Sequence, residues 1–269
     1  MAIAVGLGLL VGLILALTGS GGSIIAVPLL IFGLGWDVAR AGPVALFAVG
    51  LAAALGAAIG LRAGIVRYRA AALMALSGSL LTPLGMLAAH HVPARPLTLV
   101  FAGVLGYVAL RIQRQAEAAA KGEARAPSAT LAPCLTDSLS GRFAWTPRCF
   151  WALSRAGAAT GFLSGMLGVG GGFVIVPALN RTTDLSPNSV VATSLAVIAL
   201  VSVSAVTSAA IAGKLDVGTA LPFAAGSFAG MIGGRLIAKR LAGPRLQQVF
   251  GLIAALAAIA LAVRALVGL

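Results

Sequence analysis

Two stretches decide the fold: "LTGSGGSIIAVPLL" at residues 17–30 and "LGVGGGFVIVPALN" at residues 167–180. Each cuts an apolar run with a glycine cluster. Each then places a proline six residues past a Gly-Gly pair, Pro28 after Gly22 and Pro177 after Gly171. At the same offset of 149 residues, Gly12 meets Gly161, Leu46 meets Leu195, Ala63-Gly64 meets Ala212-Gly213 and Val100-Phe101 meets Val249-Phe250. A pairing that persists over a whole half indicates a duplicated unit, a frequent plan for membrane proteins that move solutes.

Composition sets the environment. The 269 residues are 60% hydrophobic and only 9% charged, where a soluble domain carries about 25% charged residues. Mean hydropathy is +1.06, and several apolar runs exceed the roughly 18 residues of a membrane span. The N-terminal segment "MAIAVGLGLLVGLILALTG" has no basic leader, so a first membrane segment is expected rather than a cleaved signal. The formal charge of +13 is read as basic loops that orient the chain and touch anionic lipid headgroups, not as a nucleic-acid interface. Abundant Ala, Gly and Arg fit a GC-rich bacterial genome.

Each unit is expected to hold a Gly-broken element and three continuous helices. The broken elements span 2–34 and 152–180. The continuous helices span about 41–61, 70–90 and 96–112, then 188–212, 217–238 and 246–267. The organisation is a first membrane repeat at 1–112, a polar linker at 113–150 and a second repeat at 151–269. With the halves inverted, Lys and Arg divide 15 to 4 in favour of the linker side; with parallel halves the division falls to 12 and 7. The positive-inside bias therefore favours inversion, with the linker cytoplasmic and both termini periplasmic in a bacterial inner membrane. The expected fold is an all-α polytopic membrane protein of two inverted-topology repeats, each a broken helical hairpin plus three spans. Cys134 and Cys149 lie in that cytoplasmic linker without metal-site spacing, so free thiols are expected.

Inversion returns each broken element to its starting side, with its glycine turn inside the membrane. The turn exposes helix N-terminal amides at the positive end of a dipole, and glycine lets a ligand approach them. Such amides favour an anion. The candidate substrate-binding residues are Gly19, Ser20, Gly21, Gly22 and Ser23 in the first unit, and Gly168, Gly170, Gly171 and Gly172 in the second. Thr193 and Ser194 add hydroxyls on the helix after the second break; Ser202, Ser204, Thr207 and Ser208 are read as helix packing. Asp37, Asp184 and Asp216 are expected as caps or as partners of Arg40, Arg181 and Lys214. Arg235 is expected to snorkel, and Trp36, Trp145 and Trp151 to mark interfaces. No nucleophile–base pair, metal cluster or nucleotide loop is visible, so neither an enzyme nor a cofactor is expected.

These motifs resemble the TauE/SafE family of sulfite and sulfonate exporters. The resemblance rests on "GSGGSIIAVPLL", "GVGGGFVIVPAL", "VVATSLAVI", "AGKLD" at Ala212–Asp216 and the basic central loop, and it runs over nearly the whole chain. It implies movement of sulfite, sulfoacetate or related sulfur oxyanions. One departure stands out: Val44-Ala45 occupy the first-unit positions of Thr193-Ser194. Because the membrane potential drives a monovalent anion outward, the expected activity is passive or weakly coupled export by alternating access. The alternatives are an importer of sulfate-like or small organic anions and a non-transporting scaffold. The partners expected are a small anion and membrane lipid, with room left for a homo-oligomer.

Overall fold

In the computed structural model, residues 1–18, 22–120, 133–135, 145–241 and 244–267 are described. Ten helices follow in order: α1 (Ala2–Thr18), α2 (Gly22–Leu34), α3 (Val38–Arg62), α4 (Tyr68–His91), α5 (Ala94–Ala120), α6 (Pro147–Leu167), α7 (Gly172–Thr182), α8 (Pro187–Ile211), α9 (Val217–Leu241) and α10 (Pro244–Val267). Six of them, α3 to α5 and α8 to α10, are long and apolar enough to cross a membrane. The chain is thus an all-helical polytopic membrane protein. Among the described residues the one β contact is an isolated bridge between Cys134 and Thr183.

Helix pairing follows the internal repeat. α1 packs on α9 as α6 packs on α4, α3 on α9 as α8 on α4, and α3 meets α8 as α5 meets α10. Glycine contacts set the directions. Gly50 faces Ser202 and Gly60 faces Ala192, so α3 and α8 run antiparallel. Gly106 faces Ala258 and Gly251 faces Gln113, so α5 and α10 do too. Equivalent helices of the two halves therefore run in opposite senses. α1 enters beside the start of α9 and α2 returns to the same end of the bundle. α6 and α7 do likewise from the opposite end, which carries the residues flanking the linker. The termini and the linker flanks thus lie at opposite ends, called here the terminal end and the linker end.

Small residues make these pairings close. Gly8 and Gly12 of α1 sit on Phe223 and Ser227 of α9, while Gly226 and Gly230 sit on Val5 and Leu9. In the other half, Gly157, Gly161 and Gly165 of α6 sit on Met74, Gly78 and Thr82 of α4. In lipid the apolar effect does not drive helices together, so backbone-to-backbone packing at small-xxx-small stripes carries much of the association.

Two details differ from the sequence reading, the cysteine pair and the start of α6. Cys134 and Cys149 form a disulfide, not free thiols. The fold explains the meeting: the Cys134 amide donates to the Thr182 carbonyl at 2.9 Å, and Thr146 caps α6 by accepting from the Cys149 amide at 3.1 Å. With Thr146 as cap and Pro147 in the first turn, α6 begins five residues earlier than expected. Pro28 and Pro177 lie inside α2 and α7. Asp216, expected as a cap or an ion-pair partner, is both: it accepts from the Thr219 amide at the start of α9 and pairs with Arg40 at 3.0 Å. Asp37 holds the cap position of α3 without a side-chain capping bond.

The Arg40 hydrogen bond, aided by the Thr219 and Gly218 amides and by the Arg40 charge, holds the Asp216 carboxyl below its ordinary value against a small burial effect. A depressed folded value stabilises above the unfolded pKa of about 3.9 and is lost as pH falls through the folded one. Asp216→Asn should lower the melting temperature slightly at neutral pH and match the parent at acid pH, as thermal scans in detergent will show. Gly161→Leu drives a side chain into the Gly78 backbone and should cost about 2 kcal/mol or more. Gly233→Leu, whose Cβ meets nothing within 4 Å, should melt near the parent.

Candidate functional site

The second break shows the turn in detail. Gly170 and Gly171 have φ of 68° and 65°, in the left-handed region where a side chain is strained, and α7 starts at Gly172. The Val174 and Ile175 amides bond to the Gly171 carbonyl. The Gly172 and Phe173 amides come too early for an intrahelical partner, which is the usual condition of a helix N-terminus. α2 likewise begins at Gly22 and Ser23, both buried. Pro28 and Pro177 each delete the bond that the carbonyl of Ile24 or Phe173 would accept.

The two breaks meet in the middle of the bundle. A Cβ on Gly170 would lie 3.5 Å from Ser23 of α2, from Val49 of α3 and from Ile198 of α8. Val49 and Ile198 are equivalent positions under the 149-residue offset, and each is the twelfth residue of its 25-residue helix. The second turn and the start of α2 are thus held against the crossing of the two most central spans.

Of the residues expected to form the site, Ser23 and Gly170 are brought together. Gly22 is packed against Leu15, and Gly171 against Thr160. Gly168 abuts Gly42 of α3. Gly19, Ser20 and Gly21 lie outside the described residues. Thr193 and Ser194 are not at the turns. Both are fully buried; the Thr193 hydroxyl accepts from the Arg67 amide at 3.1 Å, and the Ser194 hydroxyl donates to the Val191 carbonyl at 2.8 Å. Thr193 lies five residues, about 7.5 Å, toward the linker end from Ile198.

Two other hydroxyls are better placed. Ser202 lies one turn beyond Ile198 on α8, and Ser164 lies four residues before Gly168 on α6. Both are buried, and neither hydroxyl oxygen has a hydrogen-bond partner among the described residues. Ser164 stands where the first half has Leu15, the side chain against Gly22. That substitution within the repeat was the available sequence signal. Ser202 was read as packing, and it does face Gly50 of α3.

Space reaches the turns from both ends. From the linker end, a cavity of about 510 Å³ between α5 and α7 runs to Ile24 and Phe173, the third residue of α2 and the second of α7. Its walls are mainly apolar, and Arg111 and Arg181 stand in its lining. From the terminal end, a cleft of about 40 Å³ bounded by Val38 and Lys214 reaches Gly168. Arg235 is half-buried and donates to the Gly56 carbonyl of α3 at 3.2 Å. No cluster of three metal-ligating side chains occurs among the described residues.

This arrangement defines a helical membrane protein with paired mid-bundle breaks. Comparison with known proteins narrows the class. The family model described as "Sulfite exporter TauE/SafE" matches residues 4–261. A "Probable membrane transporter protein" of Xylella fastidiosa (strain 9a5c) is 30% identical over 257 residues, covering 93% of this chain and 90% of the relative. A protein of the same description from strain Temecula1 matches to the same extent. No solved structure matches significantly. The chain belongs to the TauE/SafE sulfite exporter family of membrane transporters.

Removing an unpaired buried hydroxyl relieves a desolvation cost of about 1 kcal/mol or more. Ser164→Ala and Ser202→Ala should therefore keep or raise the melting temperature while lowering anion flux severalfold. Thr193→Ala should do the reverse, losing stability by unpairing the Arg67 amide. Parallel thermal scans and liposome flux assays read both quantities.

Proposed function

We propose that the protein exports a sulfur-containing oxyanion, sulfite or a related sulfonate, across the bacterial inner membrane by alternating access, without an obligatory coupling ion. The observation that carries this reading is the meeting of Ser23 and Gly170 between Val49 and Ile198, with a large cavity from one end and a narrow cleft from the other. The anion sits on the amides of the two turns, Gly19–Ser23 and Gly168–Gly172. Ser164 and Ser202 supply hydroxyls in place of Thr193 and Ser194. Amides and hydroxyls hold an oxyanion without the tight grip of a buried cation pair, so the solute can leave. The unequal access corresponds to a state open to the linker end.

Orientation draws on two opposed observations. Fifteen of nineteen Lys and Arg belong to the linker side under inversion, which places it in the cytoplasm. The Cys134–Cys149 disulfide sits at that same end, and disulfides are rare in the cytosol. We give the charge bias precedence, because it sums many independent residues and sets insertion itself. The pair is then a dithiol in a reducing cytosol and closes on oxidation.

Purified protein in liposomes loaded with sulfite should release it without an ion gradient, and faster with the exterior positive. Gly170→Asn, a side chain tolerated in the left-handed region, should lose at least about tenfold of the rate, with thermal scans confirming that it folds; a single missing factor of ten corresponds to 1.4 kcal/mol. An absolute need for an ion gradient would indicate an importer, and no flux of any anion would indicate a scaffold. In intact cells, membrane-impermeant maleimide should miss both cysteines from the periplasm and react with them after permeabilisation. An oxidised pair in growing cells would reverse the orientation.

A further inference from the structure

We propose that the cavity between α5 and α7 is a binding site for an organic anion with an oxyanion head and a short apolar chain, rather than for a bare inorganic anion. The head lies between Arg111 and Arg181, and the chain runs along Val104, Val108, Val174 and Pro177 toward Phe173. This deepens the transport reading by naming the substrate class, and rests on it only for placing the cavity on the transport path.

The charges are arranged for such a head. Arg111 is half-buried, and Arg111 and Arg181 place two like charges in the lining of one cavity. Neither has an acidic partner within ion-pair distance among the described residues. A sulfonate or carboxylate between them meets both charges with two charge-assisted, fork-shaped contacts. The fold itself does not require the pair. Under the internal repeat Arg111 corresponds to Ala260 and Arg181 to Phe32, although Pro177 recurs as Pro28. The cations are thus a property of one side of the molecule.

The walls and the depth specify the rest. A volume of about 510 Å³ falls within the range of about 300–1,000 Å³ typical of organic ligands. An inorganic oxyanion would leave most of it filled by water against apolar side chains or empty, and would surrender its own hydration without replacement. From Arg181 to Phe173 is eight residues of α7, about 12 Å, and Gly103 lies eight residues before Arg111 on α5. An extended chain therefore fits from the guanidiniums to the glycine turn. The bilayer's own lipids share this head-and-tail chemistry, so the test must separate the two sources.

Titration calorimetry of the delipidated full-length protein in detergent, with methane-, butane- and hexane-1-sulfonate, tests the assignment. Affinity should rise about fourfold per added methylene, and sulfite should not displace hexanesulfonate. Arg111→Gln with Arg181→Gln should weaken every member by at least about tenfold. Gly103→Leu, whose Cβ meets nothing within 4 Å, should fold normally, bind methanesulfonate as before and lose the gain from longer chains. Affinity independent of chain length, binding untouched by the double variant, or displacement by short-chain phosphatidylglycerol at equal affinity would each overturn the proposal. Hexanesulfonate binding without anion flux in liposomes would retire the transport reading and leave this site standing. Sulfite flux without hexanesulfonate binding would do the opposite.

Discussion

A backbone amide inside a bilayer has no water to turn to. Everything distinctive in this molecule follows from interrupting two helices at that depth and covering the ends with protein. The cover is α3 and α8, whose midpoints Val49 and Ile198 close over the second turn. Bringing them that near requires thin neighbours, which explains why Gly42 abuts Gly168 and why α1 and α6 are glycine-striped where they meet α9 and α4. The small-residue stripes and the glycine turns are thus parts of one solution. The stripes let helices approach until the turns are sheltered, and the turns are tolerated because they are sheltered.

Duplication makes this economical. One unit supplies a broken hairpin and three long helices, and pairing it with its antiparallel equivalent places both breaks at the shared crossing. Strict equivalence nevertheless stops at the openings. The cavity from the linker end is large and carries Arg111 and Arg181, while the cleft at Gly168 is small. Equivalent backbones with unequal spaces are what a two-state machine needs, since exchanging the conformations of the halves would exchange the openings.

Much of the fold was legible because its signals are local or periodic. The glycine clusters, the prolines and the 149-residue offset marked the breaks, and apolar length marked the six spans. The second-unit helix α8 begins one residue from the expected position. The site was legible only in its backbone. Thr193 and Ser194 follow the break in sequence, yet they sit too near the linker end, where Thr193 receives the Arg67 amide. Nothing in the chain distinguishes the faces of α8, because it is apolar all round; Ser202 and Thr193 look equivalent in the sequence and differ in their hydrogen bonding. The disulfide was missed for a different reason. The compartment argument spoke against it, while the contact that juxtaposes the cysteines depends on Cys134 reaching the end of α7. Asp216 found Arg40, 176 residues away, a pairing that only the packing of α3 on α9 creates.

The position of positive charge completes the physical account. A fixed guanidinium at mid-membrane would cost several kcal/mol to insert and would hold an anion too long. Here Arg181 lies eight residues, about 12 Å, from Phe173 along α7, and in the proposed site only amides and hydroxyls await deeper in. On the proposed path an anion moving inward passes from strong, partly solvated contacts to weaker, dry ones. The loss is offset by burial of its apolar portion and, with the linker side cytoplasmic, by an outward electrical drive of about 2.3 kcal/mol per 100 mV. An inorganic anion has only the second of these. A solute with a carbon skeleton has both, so the apolar wall between the arginines and the glycine turn makes selection by chain as well as by charge a consequence of the geometry.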